Sequence, residues 1–243
     1  MIIDGHVHID TNPPFTRPEN IVKELSKHNI DKAVVMPTSL SLNNEWVSDQ
    51  IKKFKTHFIA GFALINPWFG NEAVKELEKA IKCWGLNALK LTPYNHGYAP
   101  NKKIVDPLME KASKLKIPVE IHSGHAPYST PWQIAECAEL YSDVTVIMAH
   151  MGGETYVDDA IKLAKKIDNI ILDISVQPYI VKIKEAVDVI GAERVIYGSG
   201  APYVHHILPL MNVKLAGFTK EQENLILAQN IMRILNIKIE NQY

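Results

Sequence analysis

Asn71-Glu-Ala-Val-Lys-Glu-Leu-Glu-Lys-Ala-Ile81, set between the β-rich runs Phe58–Ile65 and Asn87–Leu91, is the stretch whose reading decides the fold. Its apolar positions 73, 74, 77, 80 and 81 fall on one helical stripe, with charges on the other face. A helix between two short β-branched runs is one βαβ unit, which implies parallel neighbouring strands. The same alternation extends in both directions. The runs Ile2–His6, Lys32–Met36, Phe58–Ile65, Asn87–Leu91, Pro118–His122, Val144–Ala149, Ile170–Ile174 and Arg194–Tyr197 start 24 to 31 residues apart. Charged, helically periodic segments fill the gaps. Eight such units in 243 residues predict a single closed (β/α)8 barrel over residues 1–243, since about 250 residues is typical for that fold. An open doubly wound sheet is the alternative. Thr16-Arg-Pro-Glu19 and Thr219-Lys-Glu-Gln222 read as capping boxes. The second opens a C-terminal helix over 219–235, with Leu225, Ala228, Met232 and Leu235 on its buried side.

Composition narrows the function classes. A net charge of -1 gives no electrostatic footprint for nucleic acid. No apolar run approaches the ~18 residues of a membrane span. The first residues lack the basic and apolar regions of a signal peptide. Cys83 and Cys137, the only cysteines, both fall in helical stretches and indicate no disulfide framework. A cytoplasmic protein acting on a small molecule is expected, and a homo-oligomer is compatible with this composition.

In a (β/α)8 barrel, chemistry sits at the C-terminal strand ends and in the loops that follow them. Eight of the ten histidines fall there: His6 and His8 after strand one, His96 after strand four, His122 and His125 at strand five, His150 after strand six, His205 and His206 after strand eight. Only His28 and His57 lie elsewhere. Asp4-Gly-His-Val-His8 follows Ile2-Ile3, and alternation along a strand places Asp4, His6 and His8 on one face. Two imidazoles on one strand form half of a site for a divalent first-row metal. His122 and His150 are the strongest candidates for the other half. Lys90 interrupts an apolar strand and would bind a substrate anion, bridge two metals as a carbamate, or only snorkel to the rim. Asp4, Glu120 and Asp173 are inward carboxylates suited to orienting a ligating histidine. Gly198-Ser-Gly-Ala-Pro202 is also a candidate phosphate cradle, on weaker grounds because the G-x-G-x-x-G spacing fails at Tyr203.

These pieces, taken in order, resemble the amidohydrolase superfamily, and within it the amidohydrolase-2 branch of compact barrels. They are Asp4-Gly-His-Val-His8, Lys90, Ile121-His122, Ala149-His150-Met-Gly-Gly153, Leu172-Asp173, Tyr197-Gly-Ser-Gly-Ala-Pro202 and Asn230-Ile-Met-Arg-Ile-Leu235. The resemblance implies a divalent metal, with zinc the expected ion, on His6, His8 and His122. It implies His150 as the residue that polarises substrate or handles a proton, and Lys90 in binding. It also implies hydrolysis of amides or lactones, or decarboxylation or hydration of small carboxylates. One position departs from the pattern. The strand-eight Asp that completes the metal shell and takes the proton from water is Gly200 here. Three outcomes follow: Asp173 (or Glu120 or Asp4) replaces it as catalytic base; a substrate group fills the space, favouring a decarboxylase, lyase or isomerase over a hydrolase; or the barrel binds a metal or small molecule without turnover.

Overall fold

The structure, a computed structural model, describes residues 1–39 and 41–238. Residue 40 and residues 239–243 of the expected barrel range lie outside the described residues. All eight expected strands are present: β1 Ile3–Ile9, β2 Lys32–Pro37, β3 Phe58–Leu64, β4 Ala88–Leu91, β5 Val119–His122, β6 Val146–Ala149, β7 Ile170–Asp173 and β8 Val195–Ile196. They form one eight-stranded parallel sheet in sequence order. Helices α1 (Pro18–Lys27), α2 (Asn44–Lys53), α3 (Asn71–Lys82), α4 (Pro93–His96), α5 (Asp106–Leu115), α6 (Pro131–Leu140), α7 (Val157–Lys166) and α8 (Ile180–Ile190) make the crossovers, and α9 (Ile207–Leu215) follows β8. The architecture is the expected (β/α)8 barrel rather than the open sheet.

Closure is by β1 and the segment after β8 rather than by a full ladder. Tyr197 O accepts from Gly5 N at 3.0 Å, Ala201 O accepts from His8 N at 2.7 Å, and Gly200 N donates to His6 O at 2.9 Å. The sequence order therefore brings the first histidines against the glycine-rich end of strand eight.

Two apolar layers hold the barrel. Outward-facing strand residues such as Val7, Val35, Leu89, Ile121 and Leu172 pack on the helices, including Ala73, Leu77 and Ala80 of the quoted stretch. Inward residues Ile3, Val34, Met36, Phe62, Ala88, Ile147, Ile171 and Ile196 fill the barrel floor, which Ala228, Ile231 and Leu235 plug from below. Above this floor the inward positions turn polar, with Lys90, Glu120 and Asp173 all buried.

The C-terminal helix is interrupted: α10 (Lys220–Asn224) runs through a π turn at Leu225–Gln229 into α11 (Asn230–Ile234). The expected Thr219–Gln222 capping box is formed. The π turn rotates the buried side, so Ile226, Leu227, Ala228, Ile231 and Leu235 are buried while Leu225 and Met232 are half-buried. It also presents Ile226 O to Tyr197 N at 2.9 Å, which satisfies backbone beyond the two-residue β8. The other expected box is absent. Helix α1 starts at Pro18, and the Thr16 hydroxyl donates to Pro13 O at 2.6 Å within the preceding turn.

Asn230 couples this plug to strand eight, its buried Nδ2 donating to Ala192 O (2.7 Å) and Val195 O (2.8 Å). Asn230→Ala leaves two buried carbonyls without donors. A loss of about 2–3 kcal/mol is expected in urea denaturation, with an unchanged m-value.

Candidate metal centre

His6 and His8 project from the end of β1 toward each other, their Nε2 atoms 3.2 Å apart. The partners of the other ring nitrogens determine what those atoms can do. Pro37 O can only accept, so His8 Nδ1 carries the proton of the 3.1 Å contact between them. His6 Nδ1 lies 2.9 Å from Asp173 Oδ2 and 3.2 Å from Glu120 Oε1. Asp173 already accepts from Ser175 N at 2.9 Å and from the Ser175 hydroxyl, the pattern of an ionised carboxylate, so His6 Nδ1 also donates. Both imidazoles are neutral. Burial, and then the Lys90 ammonium, pull the His8 pKa down to about 4 and that of His6 well below its ordinary value. Two unprotonated Nε2 lone pairs therefore face each other at hydrogen-bond distance with no proton between them. A cation resolves that repulsion, and a carboxylate or a carbonyl behind each ring is the usual support of a ligating histidine. The donors fit a divalent metal.

Asp173 reaches His6 across the short strand eight only because residue 198 is glycine. A Cβ there would stand 2.5 Å from Asp173 Oδ1 and 2.7 Å from His6 Cβ. Asp173 is fully buried with both oxygens engaged by Ser175 and His6, so it orients His6 rather than facing the cavity. Burial raises its pKa to about 6, which leaves it ionised at neutral pH.

Asp4, expected on the histidine face, is elsewhere. The β1–β2 register shifts between Asp4 and Val7, and the strand's alternation is broken there. Asp4 instead accepts from Ser199 N (2.9 Å) and from His206 Nδ1 (2.7 Å) at the barrel seam. That seam also consumes the amides of the candidate phosphate cradle: Ser199 N goes to Asp4, Gly200 N to His6 O, and Ala201 N to Ser199 Oγ. No phosphate-binding nest is formed by them.

His150 and His122 continue the network. His150 Nδ1 donates to Ser175 Oγ (2.8 Å), leaving its Nε2 to accept from His122 Nδ1 (3.1 Å). His122 Nε2 then accepts from His125 Nδ1 (3.0 Å). The ligand atoms of His6, His150 and Asp173 all lie within 4.8 Å of one another. His122, implied as a third ligand, has both nitrogens engaged by imidazoles. His150 has φ +65° and Met151 φ +48°, a left-handed pair that is costly outside glycine and concentrates at functional sites. Ser175, which the sequence reading did not single out, links Asp173 to His150; its place two residues after Asp173 is the one signal that could have found it. Lys90 Nζ is paired with Glu120 Oε1 directly across the β4–β5 register, while Glu120 Oε2 has no partner. Burial lifts the Glu120 pKa to about 7.

His8, Lys90, His122, His150 and Gly200 line one cavity of about 260 Å³, together with Tyr203, whose ring packs edge-on against His8. At Gly200 the φ of +78° disfavours any side chain, and a Cβ would lie 2.9 Å from Val176 Cγ2.

A family model described as Amidohydrolase (Amidohydro_2) matches residues 3–237. The chain belongs to the amidohydrolase family. Its barrel is similar to solved structures of several bacterial proteins. One is 5-carboxyvanillate decarboxylase of Sphingomonas paucimobilis, with 12% identity, TM-score 0.78, and 98% of this chain and 99% of that one covered. A second is dihydroxybenzoic acid decarboxylase of Polaromonas sp. JS666, solved with manganese and 2-nitroresorcinol, with 15% identity, TM-score 0.79 and coverage of 100% and 99%. A third is a probable 2-pyrone-4,6-dicarboxylic acid hydrolase of Acinetobacter baumannii with citric acid bound, with 17% identity, TM-score 0.73 and coverage of 97% and 99%. At these identities the likeness establishes the fold. No curated protein matches the chain significantly.

Two outcomes test this geometry in the family member. The pKa values of His6, His8, His122 and His150 are lowered on folding, whereas those of Asp173 and Glu120 are raised. Between about pH 4 and 6.5 the unfolded chain thus holds protons on four imidazoles that the native state lacks. The native state holds extra protons on two carboxylates. The unfolded state binds more, so the metal-free protein loses stability on acidification through this window, with a slope of roughly two protons in pH-dependent urea denaturation. Gly200→Asp is expected to destabilise by about 1–3 kcal/mol through backbone strain. Hydrolytic activity appearing with undiminished stability would contradict this account of Gly200.

Proposed function

We propose that this protein is a metal-dependent decarboxylase of a small organic acid, with the ion held by His6 and His8. The observation that carries the proposal is the pair of unprotonated Nε2 atoms opposed at 3.2 Å, each ring fixed from behind. A bound divalent ion supplies Lewis acidity toward a substrate oxygen. Imidazole donors suit zinc, and the manganese of the Polaromonas relative makes that ion the competitor.

The rest falls to the chain. Lys90, on the cavity wall, adds positive potential for a carboxylate, while its pairing with Glu120 holds the ammonium in place. In decarboxylation the C–C bond to the carboxylate breaks, CO2 leaves, and the electron pair left on carbon takes a proton. His150 lines the cavity and connects through His122 to His125, so it is the group placed to move that proton. Burial first, and then the neighbouring imidazoles, lower its pKa, so it would pass the proton along from His122 rather than hold it. Hydrolysis, by contrast, needs a base for water. Gly200 offers none, and both Asp173 oxygens are engaged. This is the physical reason for placing decarboxylation first.

Amide or lactone hydrolysis is the second reading. Glu120 favours it, with a free Oε2 and a pKa near 7, where a general base is most effective. A small carboxylate substrate and a reducing cytoplasmic setting fit both readings. Cys83 and Cys137 are free thiols, and no helix among the described residues is long and apolar enough to cross a membrane.

The test is chelation, reloading with zinc or manganese, and assay of CO2 release from small hydroxyaryl and aliphatic carboxylates alongside lactone opening. Metal-dependent CO2 release is expected. His8→Ala should abolish stoichiometric metal, and Asp173→Asn should weaken metal binding or turnover about 10–100-fold. Lactone opening without CO2 release would favour the hydrolase reading. Full activity in the chelated protein would end the metal assignment.

A further inference from the structure

His28, one of the two histidines that fall off the barrel rim in the sequence, finds a partner from the rim. Helix α1 carries Glu24 and is capped at its C-terminus by His28, four residues on, so the two share one helix face. His205, from the loop after β8, meets them. Glu24 Oε2 lies 3.4 Å from His28 Nε2 and 3.6 Å from His205 Nε2. The two imidazoles meet edge to face with centroids 4.8 Å apart. The three ligand atoms all lie within 4.8 Å of one another, and the buried His28 Nε2 has no hydrogen-bond partner.

We infer that Glu24, His28 and His205 form a second transition-metal site, separate from the barrel mouth and independent of the decarboxylase reading. Bonds of about 2.0–2.1 Å in a tetrahedral zinc site place ligand atoms about 3.3–3.5 Å apart; the Glu24–His28 pair at 3.4 Å already has that spacing and the Glu24–His205 pair at 3.6 Å is slightly wider. Two imidazoles and one carboxylate suit zinc or its neighbours in the first row, whereas magnesium and calcium require sets of oxygens. Lys27 Nζ, 3.6 Å from Glu24 Oε2 and well exposed, competes for the carboxylate. Burial, and then the neighbouring His28 imidazole, lower the His205 pKa from its ordinary value. Glu24 and His205 also line a cleft of about 290 Å³, so a site completed by water or a small anion remains accessible.

The position gives the site a consequence. Helix α1 follows β1, and His205 lies two residues after Tyr203, which packs on His8 and lines the catalytic cavity. An ion here ties α1 to the loop across the seam where the barrel closes through single backbone contacts, and so braces one wall of the cavity.

The experiment titrates zinc, and then cobalt(II) for its visible absorption, into chelated protein carrying His8→Asn to remove the mouth site. One equivalent of zinc is expected to bind, with a cobalt spectrum of low-symmetry tetrahedral type and a zinc-dependent rise in Tm. Adding His28→Gln and His205→Gln should weaken that binding at least 100-fold and abolish the Tm response, and Glu24→Gln alone should weaken it at least tenfold. Equal zinc affinity before and after these changes would overturn the site, as would failure of the His8→Asn protein to bind zinc. Wild-type protein provides the separation from the first proposal: loss of the mouth equivalent on His8→Asn reports on that site alone. All four substituted positions are at least partly exposed, and far-UV circular dichroism verifies folding of each variant.

Discussion

The hydrogen bond from His6 Nδ1 to the Asp173 carboxylate organises the barrel mouth. It joins the first strand to the seventh, so it requires the eighth, between them, to offer no side chain at Gly198. It puts the His6 proton on Nδ1 and leaves Nε2 bare against His8. Through Ser175 the same carboxylate orients His150, and through His150 it reaches His122 and His125. A donor set for a metal and a chain of hydrogen bonds for a proton thus share one buried anchor. Unpaired, an ionised Asp173 at that depth would be prohibitively costly. Here it accepts three hydrogen bonds.

The polar mouth is sustained by an apolar floor. The inward residues of this layer are aliphatic or aromatic, apart from Met36, and Ala228, Ile231 and Leu235 of the C-terminal helix pack with them. The π turn in that helix is not a defect. It supplies Ile226 O to Tyr197 N, and Asn230 adds contacts to Ala192 and Val195. A two-residue β8 consequently stays in register without a full ladder to β1. The glycine-rich segment beyond it is then free to make the close contacts to His6 and Asp4 that shape the site.

Departure from the family pattern at Gly200 has a structural sense in this setting. The backbone there is left-handed and abuts Val176, so the position is built for glycine rather than emptied of a carboxylate. Its amide donates to His6 O and helps close the barrel. Around it the carboxylates are engaged as supports or ion-pair partners: Asp173 with Ser175 and His6, Asp4 with Ser199 and His206, and Glu120 with Lys90.

The barrel was legible from the sequence because its elements are local: period-2 and period-3.6 patterns depend on neighbours a few residues away, and all eight strands were recovered from them. The rim histidines were legible for the same reason, since strand ends mark the mouth. Local patterns failed where a local rule was overridden. Thr16 resembled a cap but serves a turn ahead of Pro18, and Asp4 left the histidine face because β1 changes register after it. The sequence by itself determined the fold and placed His6, His8, His122 and His150 at one mouth, where the structure gathers them. Only the tertiary structure decided which nitrogen of each imidazole is free, that Asp173 and Ser175 support His6 and His150, that Gly198 is what permits their meeting, and that Glu24, His28 and His205 converge. Each of these depends on atoms tens to almost two hundred residues apart in the chain. Their encounter is set by barrel closure, which no sequence period encodes.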